Sequence, residues 1–134
     1  MIRQPIKTIL LVEDDAINRK LVRIVLGDKK RYRILEAVST CDALEQLKSM
    51  KPDLLLLDIR LDKGSGLDVL SAVRNDRSFD DVPAVAITAE AMKNDEKRFL
   101  AAGFDGYLSK PVDTRRLQEV VEQFINEGRR PAHV

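Results

Sequence analysis

The chain has 134 residues with 23 basic and 22 acidic side chains, so its formal net charge is +1. This balance gives no electrostatic basis for direct binding to nucleic acid or a membrane surface, and no apolar stretch approaches the roughly 18 residues of a transmembrane helix. The length and the 44% of apolar residues predict one domain over 1–134, with a core at about 7–126 and a flexible tail at 127–134. Arg129 and Arg130 in this tail are interpreted as a solvated pair. A single cysteine excludes an internal disulfide, and the absence of a signal-peptide pattern at the start adds to the expectation of a cytoplasmic protein.

Strand-like and helix-like segments alternate along the chain. Short apolar runs predict strands, and apolar residues at helical spacing predict helices. The strands are predicted at 7–12, 33–37, 53–57, 84–87 and 106–108. The helices are predicted at 15–27, 40–50, 66–75, 90–102 and 113–126. Strands that alternate with helices of ten or more residues predict a parallel sheet covered on both faces, a doubly wound (βα)5 α/β fold.

Several helices carry further local signals. In the first helix, Ile17, Leu21 and Val25 recur at a spacing of four, as on one helix face. Thr40 is the candidate N-cap of the second helix, and Asp113 is that of the last. The last helix has the clearest apolar stripe, which consists of Leu117, Val120, Val121, Phe124 and Ile125.

Polar side chains follow four of the predicted strands. The apolar run of the first strand stops at Glu13 and Asp14, and the run of the third stops at Asp58. Thr88 follows the fourth strand, and Lys110 comes soon after the fifth. Because the carboxyl ends of parallel strands meet at one edge of the sheet, where such folds bind their ligands, these side chains are expected to lie together.

Three carboxylates in one place are tolerated only if one or more of them stay protonated or if a cation neutralises them. Two of them about 4 Å apart repel by roughly 4 kcal/mol at an effective dielectric constant near 20. Lys110 supplies one charge, and a divalent cation with oxygen ligands supplies more; Mg²⁺ commonly takes one or two carboxylates together with water and phosphate oxygens. A metal beside a carboxylate, a hydroxyl and a lysine predicts a phosphoryl-transfer site.

These fragments together resemble a known family, the receiver domains of two-component response regulators, which include the chemotaxis receivers. The resemblance extends over residues 7–126, and its order and spacing are specific although each fragment alone is weak. The matching segments are Val12-Glu13-Asp14-Asp15, residues 53–58, Gly66-Leu67, Ile87-Thr88-Ala89 and Gly106-Tyr107-Leu108-Ser109-Lys110-Pro111. The resemblance implies a flavodoxin-like fold with the strand order 2-1-3-4-5.

The resemblance also implies a role for each site residue. Asp58 would be the phosphoacceptor that attacks a phosphohistidine and becomes an acyl phosphate. Mg²⁺ would be held by Glu13, Asp14 and Asp58 with the backbone carbonyl of Arg60. Lys110 would pair with the phosphoryl group, and the peptide bond from Lys110 to its proline would be cis.

A switch and a set of partners follow from the same resemblance. The hydroxyl of Thr88 and the backbone amide of Ala89 would contact the phosphoryl group, and the ring of Tyr107 would fill the space that Thr88 leaves. The donor would be a sensor histidine kinase or a histidine phosphotransfer protein. The signal would pass to a downstream protein effector, which would bind this domain around the fourth helix, the fifth strand and the fifth helix.

The loop after the third strand departs from the family pattern. Where the family usually has proline, this chain has Asp62, and the two glycines of residues 62–66 predict mobility there. Asp62 is a candidate additional acid at the site. Arg60 and Glu90 occupy positions that tune access of water to the phosphoryl group in the family, and their opposite charges predict an ion pair.

Two other functions fit some of these residues. A Mg-dependent phosphatase with an aspartyl nucleophile usually has a second aspartate two residues later, and this chain has Arg60 there. A pseudo-receiver that only binds partners normally lacks the acid pair, the phosphoacceptor or the lysine, all of which are present here. The sequence therefore favours a signalling phosphoacceptor that assists its own phosphorylation and dephosphorylation, rather than an enzyme acting on a separate substrate.

Overall fold

The computed structural model describes residues 5–27, 31–89 and 95–129, and five strands and five α-helices lie within them. The strands are β1 (Lys7–Val12), β2 (Tyr32–Ala37), β3 (Leu54–Asp58), β4 (Ala84–Thr88) and β5 (Gly106–Ser109). The helices are α1 (Ala16–Gly27), α2 (Thr40–Leu47), α3 (Gly66–Arg74), α4 (Asp95–Ala102) and α5 (Thr114–Glu127). A short 3-10 helix at Arg77–Phe79 lies between α3 and β4.

The strands form one parallel sheet in the order β2-β1-β3-β4-β5, which confirms the predicted flavodoxin-like topology. The less apolar β2 lies at an edge, where only one neighbouring strand covers it. The central strands β3 and β4 are buried along their whole length, as expected for a parallel sheet with helices on both faces. Among the described residues, none of the helices combines the length and the apolar character needed to cross a membrane.

Alternation along each strand divides the core into two layers. In β1, Leu10 and Val12 face the layer formed with α2, α3 and α4, which we call the α3 layer. Ile9 and Leu11 face the layer formed with α1 and α5, which we call the α5 layer. Because side chains of a strand point alternately to the two faces of the sheet, residues just past a strand end are expected to continue this pattern.

The stripe predicted on α5 is confirmed, whereas the face suggested for α1 is confirmed only in part, since Val25 packs against the α5 layer and Ile17 does not. Leu117, Val120 and Val121 are buried, and the other two residues of the α5 stripe pack against the same layer. In α1, Val22 and Leu26 are buried, whereas Ile17 is 78% exposed. The helix carries two overlapping apolar stripes, and spacing alone does not decide which of them meets the sheet.

The N-cap prediction is confirmed for α5 and wrong for α2. Asp113 Oδ1 accepts hydrogen bonds from the first-turn amides of α5 at 2.9 and 3.1 Å. The N-cap of α2 is Ser39, whose Oγ accepts from the amide of Asp42 at 3.1 Å. The hydroxyl of Thr40 donates instead to the carbonyl oxygen of Ser65 at 3.2 Å. Two adjacent hydroxyl residues both have the chemistry of a cap, so only the backbone distinguishes them.

Some predicted boundaries change. β3 begins one residue later and includes Asp58 as its last residue, and α2 ends at Leu47 rather than at residue 50. The predicted start of the fourth helix at residue 90 lies outside the described residues, which resume at Asp95.

The interpretation of Arg129 as a solvated residue is wrong. Its Nε lies 3.0 Å from Oδ1 of Asp105, and its Nη1 donates to the carbonyl oxygen of Asp80 at 3.2 Å. The start of the predicted flexible tail is therefore held against the sheet, and residues 130–134 lie outside the described residues.

Gly66 is the position where an added side chain has the least room. A Cβ atom there would overlap the backbone carbonyl oxygen of Asp58 and crowd the side chain of Leu57. We expect Gly66→Ala to lower the free energy of unfolding by about 1–3 kcal/mol, because the close approach of α3 to the end of β3 cannot relax without moving backbone. Urea denaturation measures this change. Gly27→Ala is the control, since an added Cβ there would meet no described atom within 4 Å other than its chain neighbours and the backbone of its own helix. Equal losses in the two variants would contradict the packing argument.

Candidate metal centre at the carboxyl edge of the sheet

The register of β1 and β3 brings the predicted acids together. Val12 pairs with Leu57, so the next residues along the two strands, Glu13 and Asp58, are neighbours on the α5 side of the sheet. Both residues are buried, with 2% of the surface of Glu13 and 3% of the surface of Asp58 exposed to solvent. One carboxylate oxygen from each of Glu13, Asp14 and Asp58 lies within 4.8 Å of the others.

Lys110 lies directly against two of these acids. Its Nζ atom is 2.8 Å from Oδ2 of Asp58 and 3.0 Å from Oε1 of Glu13. Its backbone amide donates to the carbonyl oxygen of Thr88 at 2.8 Å, which joins the residue after β5 to the end of β4. The peptide bond between Lys110 and Pro111 is cis, as predicted.

The cluster has more acid groups than one lysine can balance. Burial, followed by the contact with Asp58, raises the pKa of Glu13 from 4.5 to about 7, although the hydrogen bonds from Lys110 and the amide of Asp15 oppose this rise. Burial by itself would lower the pKa of Lys110, but its hydrogen bonds to Asp58 and Glu13 outweigh that effect and raise it. Near neutral pH, Glu13 therefore holds a proton part of the time, while the lysine is charged.

Asp14 is ionised near neutral pH. Burial alone would raise its pKa, yet the hydrogen bond from the backbone amide of Asp62, followed by one from Glu13, holds the pKa below its ordinary value. A buried, partly protonated acid beside an ionised one forms an all-oxygen donor set of the kind that a hard divalent cation occupies. The residues present therefore fit Mg²⁺, because the ion would replace the proton and neutralise the remaining charge.

Backbone amides orient each carboxylate, and sequence reasoning missed them. The amide of Arg60 donates to Oδ1 of Asp58 at 3.1 Å, and that of Asp62 donates to Oδ2 of Asp14 at 2.7 Å. The amide of Asp15 lies 3.2 Å from Oε2 of Glu13. Almost every residue type carries such an amide, so no sequence signal distinguishes these positions.

Arg19 is a further residue that the sequence analysis did not identify. Its Nη1 donates to the carbonyl oxygens of Glu13 and Asp14 at 3.0 and 2.9 Å, and its Nε lies 3.4 Å from Oε1 of Glu36. The guanidinium group thereby joins the acid pair to β2. A basic residue in the first turn of α1, just after the acids, is the signal that could have indicated it.

The residues of the predicted switch lie in or directly after β4 and in β5. Thr88 is the buried last residue of β4, and Ala89 follows it at the surface. Tyr107 is half-buried in β5 and packs in the α3 layer, with its ring centroid 6.4 Å from that of Phe99. Glu90 lies outside the described residues, so its ion pair with Arg60 stays a prediction.

Fold and site together define a flavodoxin-like α/β protein with a cluster of acids and a lysine at the carboxyl edge of its sheet. The model of the response regulator receiver domain family matches residues 9–122. The chain therefore belongs to this family of two-component signalling domains.

Similar proteins agree with this assignment. The polar-differentiation response regulator DivK of Brucella ovis is 34% identical over 122 residues, which cover 91% of this chain and 98% of that protein. A response regulator structure from Chloroflexus aurantiacus has a TM-score of 0.85 at 26% identity, covering 92% of this chain and 100% of that one. The receiver domain of a Pseudomonas aeruginosa sensor histidine kinase has a TM-score of 0.81 at 28% identity, with the same coverages, and holds a magnesium ion in its active-site cleft.

Proposed function

We propose that this chain is a single receiver domain over 1–134 that accepts a phosphoryl group on Asp58 in a Mg²⁺-dependent reaction. The observation that carries the proposal is the position of Lys110, whose Nζ lies 2.8 Å from Asp58 and 3.0 Å from Glu13, beside the carboxylate of Asp14. A carboxylate that contacts a cation and adjoins two more oxygen ligands can be a nucleophile whose product charge is already compensated.

The transfer begins with a carboxylate oxygen of Asp58. That oxygen forms a bond to phosphorus as the phosphorus–nitrogen bond of a phosphohistidine breaks, and the departing imidazole keeps the electron pair and takes up a proton. Lys110 shifts its ammonium contact to the new phosphoryl oxygens, and the Thr88 hydroxyl and the Ala89 amide donate further hydrogen bonds.

The metal would be held by Glu13, Asp14 and Asp58 with the carbonyl oxygen of Arg60. When bound, Mg²⁺ neutralises charge that develops on the phosphoryl oxygens. Before the ion and the phosphoryl group bind, Lys110 limits the repulsion between the carboxylates of Glu13 and Asp58 and so keeps them close together.

The proposed output is a change in the packing of α4, β5 and α5. When Thr88 turns toward the phosphoryl group, the ring of Tyr107 moves into the space beside the fourth strand. Charge-assisted hydrogen bonds contribute about 1.5–3 kcal/mol each, and about 5.5 kcal/mol moves a two-state equilibrium from 1:99 to 99:1. Two or three new contacts are therefore sufficient, and a downstream protein effector would bind the altered surface.

The phosphodonor is proposed to be a sensor histidine kinase or a histidine phosphotransfer protein, because the site attacks phosphorus bound to a good leaving group. The exposed Ile17 lies in the first turn of α1, three residues after Asp14, so a donor helix that reaches Asp58 is proposed to contact this apolar side chain as well.

Mass spectrometry of the intact protein tests the acceptor. After incubation with acetyl phosphate and Mg²⁺, the wild type is expected to gain the mass of one phosphoryl group, and hydroxylamine should remove it because it cleaves acyl phosphates. Asp58→Asn should gain nothing, since an amide is not a nucleophile at neutral pH.

Asp53→Asn is the matched control, because Asp53 precedes the same strand at the opposite edge of the sheet, where it accepts a hydrogen bond from the amide of Thr8. This variant is expected to be labelled like the wild type. Labelling of Asp58→Asn, or labelling that persists when the metal is chelated, would refute the proposal.

A further inference from the structure

The loop from β3 to α3 contacts two of the candidate metal ligands through its backbone. The amide of Arg60 lies 3.1 Å from Oδ1 of Asp58, and the amide of Asp62 lies 2.7 Å from Oδ2 of Asp14. The two amides are two residues apart in the chain, and the carboxylates that they contact come from different strands. One short loop therefore links the acid after β1 to the acid that ends β3.

This loop is itself held in place. Ser65 Oγ donates to the carbonyl oxygen of Ile59 at 2.9 Å, and the amide of Gly66 donates to the same oxygen at 3.2 Å. Arg60 and Ser65 form an antiparallel bridge, and the Thr40 hydroxyl reaches the carbonyl oxygen of Ser65. These contacts oppose the mobility that its glycines predict, so the loop can present an amide at a defined position.

We infer that the backbone amide of Asp62 is a positioning group of the metal centre, which orients the Asp14 carboxylate before a cation binds; this inference rests on the metal site of the proposed function. A carboxylate has two oxygens, so one can accept the loop amide while the other faces the cation. Hydrogen bonds from groups around a metal orient its ligands, and their loss typically weakens metal binding 10–100-fold.

The contribution comes from the peptide N–H and not from the side chain. Asp62 has an exposed side chain, whereas its amide makes the shortest of the three hydrogen bonds by which amides hold the acids. Proline is the one residue that cannot supply this donor. The residue type at position 62 therefore determines whether Asp14 is oriented in advance.

Two substitutions separate the amide from the carboxylate of residue 62. Asp62→Pro removes both, whereas Asp62→Ala removes only the carboxylate. Titration of the metal-free ¹⁵N-labelled proteins with MgCl2, followed by two-dimensional NMR, gives the Mg²⁺ dissociation constants. Asp62→Pro is expected to raise the wild-type constant about tenfold, and Asp62→Ala is expected to bind about tenfold more tightly than Asp62→Pro.

A structural defect would give a different pattern. The urea concentration at the midpoint of unfolding of metal-free Asp62→Pro should stay close to that of the wild type, while its Mg²⁺ affinity falls. Equal dissociation constants for wild type and Asp62→Pro, or equal weakening in both variants, would overturn the inference.

A measurement without proline keeps the test decisive if Asp62→Pro fails to fold. In metal-free protein, Asp14→Ala should accelerate hydrogen exchange of the Asp62 amide about tenfold or more, because its acceptor is lost; an unchanged rate would overturn the inference. The failure of the proposed function is distinguishable, since a wild-type protein whose spectrum does not respond to MgCl2 has no metal site, whereas equal binding by wild type and Asp62→Pro removes only the role of the amide.

Discussion

Replacing Asp105 with alanine is expected to lower the free energy of unfolding by about 3–5 kcal/mol. Asp105 lies at the amino edge of the sheet between two arginines. Its Oδ2 is 3.0 Å from Nη2 of Arg74, and its Oδ1 is 3.0 Å from Nε of Arg129. The same Oδ2 accepts the amide of Ala84 at 2.9 Å, so the substitution removes three hydrogen bonds.

The cost arises mainly at Arg74, whose largely buried guanidinium group loses its ion-pair partner. Burial lowers the pKa of Arg74 and the nearby Arg129 lowers it further, whereas Asp105 opposes both effects. The arginine cannot escape to water easily, because it also donates to the carbonyl oxygens of Phe79, Val82 and Gly103. Removal of one member of a buried pair is costly because it leaves an uncompensated charge.

Urea denaturation at neutral pH measures the loss, and an exposed ion pair provides the control. Lys51 and Asp81 also approach to 2.8 Å, but 50% and 76% of their side chains are exposed. Asp81→Ala should therefore change the free energy of unfolding by less than about 1 kcal/mol. A loss below about 1 kcal/mol for Asp105→Ala would show that the ion pairs of Asp105 do not anchor the end of α5.

The second large effect is expected at Glu13, through the pH dependence of stability. In the folded metal-free protein the pKa of Glu13 is raised from 4.5 to about 7. Between these values the folded chain still holds a proton that the unfolded chain has lost, so stability falls as pH rises. The shift corresponds to about 3 kcal/mol of stability, present below pH 4.5 and lost by about pH 7.

Glu13→Gln isolates this contribution, because glutamine has the shape of the protonated acid and does not titrate. The free energy of unfolding of the variant relative to wild type should rise by about 3 kcal/mol from pH 4.5 to pH 7.5 in the presence of a chelator. Addition of Mg²⁺ should stabilise the wild type at pH 7.5 far more than the variant, since the ion binds the ionised carboxylate. Parallel pH profiles for the two proteins would contradict the raised pKa.

Much of the fold could be predicted from the sequence, because apolar residues recur at different spacings in strands and in helices, and because strands alternate with helices along the chain. The apolar runs that end in β1 and β3 identify buried strands, and the stripe on α5 identifies the buried face. The face of α1 could not be predicted, because Ile17 and Val22 belong to rival stripes of similar apolar character. The cap of α2 depended on the backbone at Ser39, which is extended.

Part of the candidate site could also be predicted from the sequence, and part of it could not. Glu13, Asp14 and Asp58 could be brought together from the sequence, since parallel strands deliver their ends to one edge. The carboxylate–amide contact at Asp62 could not be, because a peptide N–H has no sequence signature. At the amino edge of the sheet, the ion pair of Arg129 could not be predicted either, because its partner Asp105 precedes β5 and only the completed topology places the end of α5 beside it.

The alternation of side chains makes the length of β1 as important to this protein as the identity of its acids. Leu11 points toward α1 and α5, whereas Val12 points toward α3, so the alternation of side chains places Glu13 on the side of Leu11. A single residue inserted within β1 would invert this order while preserving the acidic motif itself. The contact between Glu13 and Lys110 would then be lost. The sequence motif would still identify a receiver domain, although its acid and its lysine would no longer lie together.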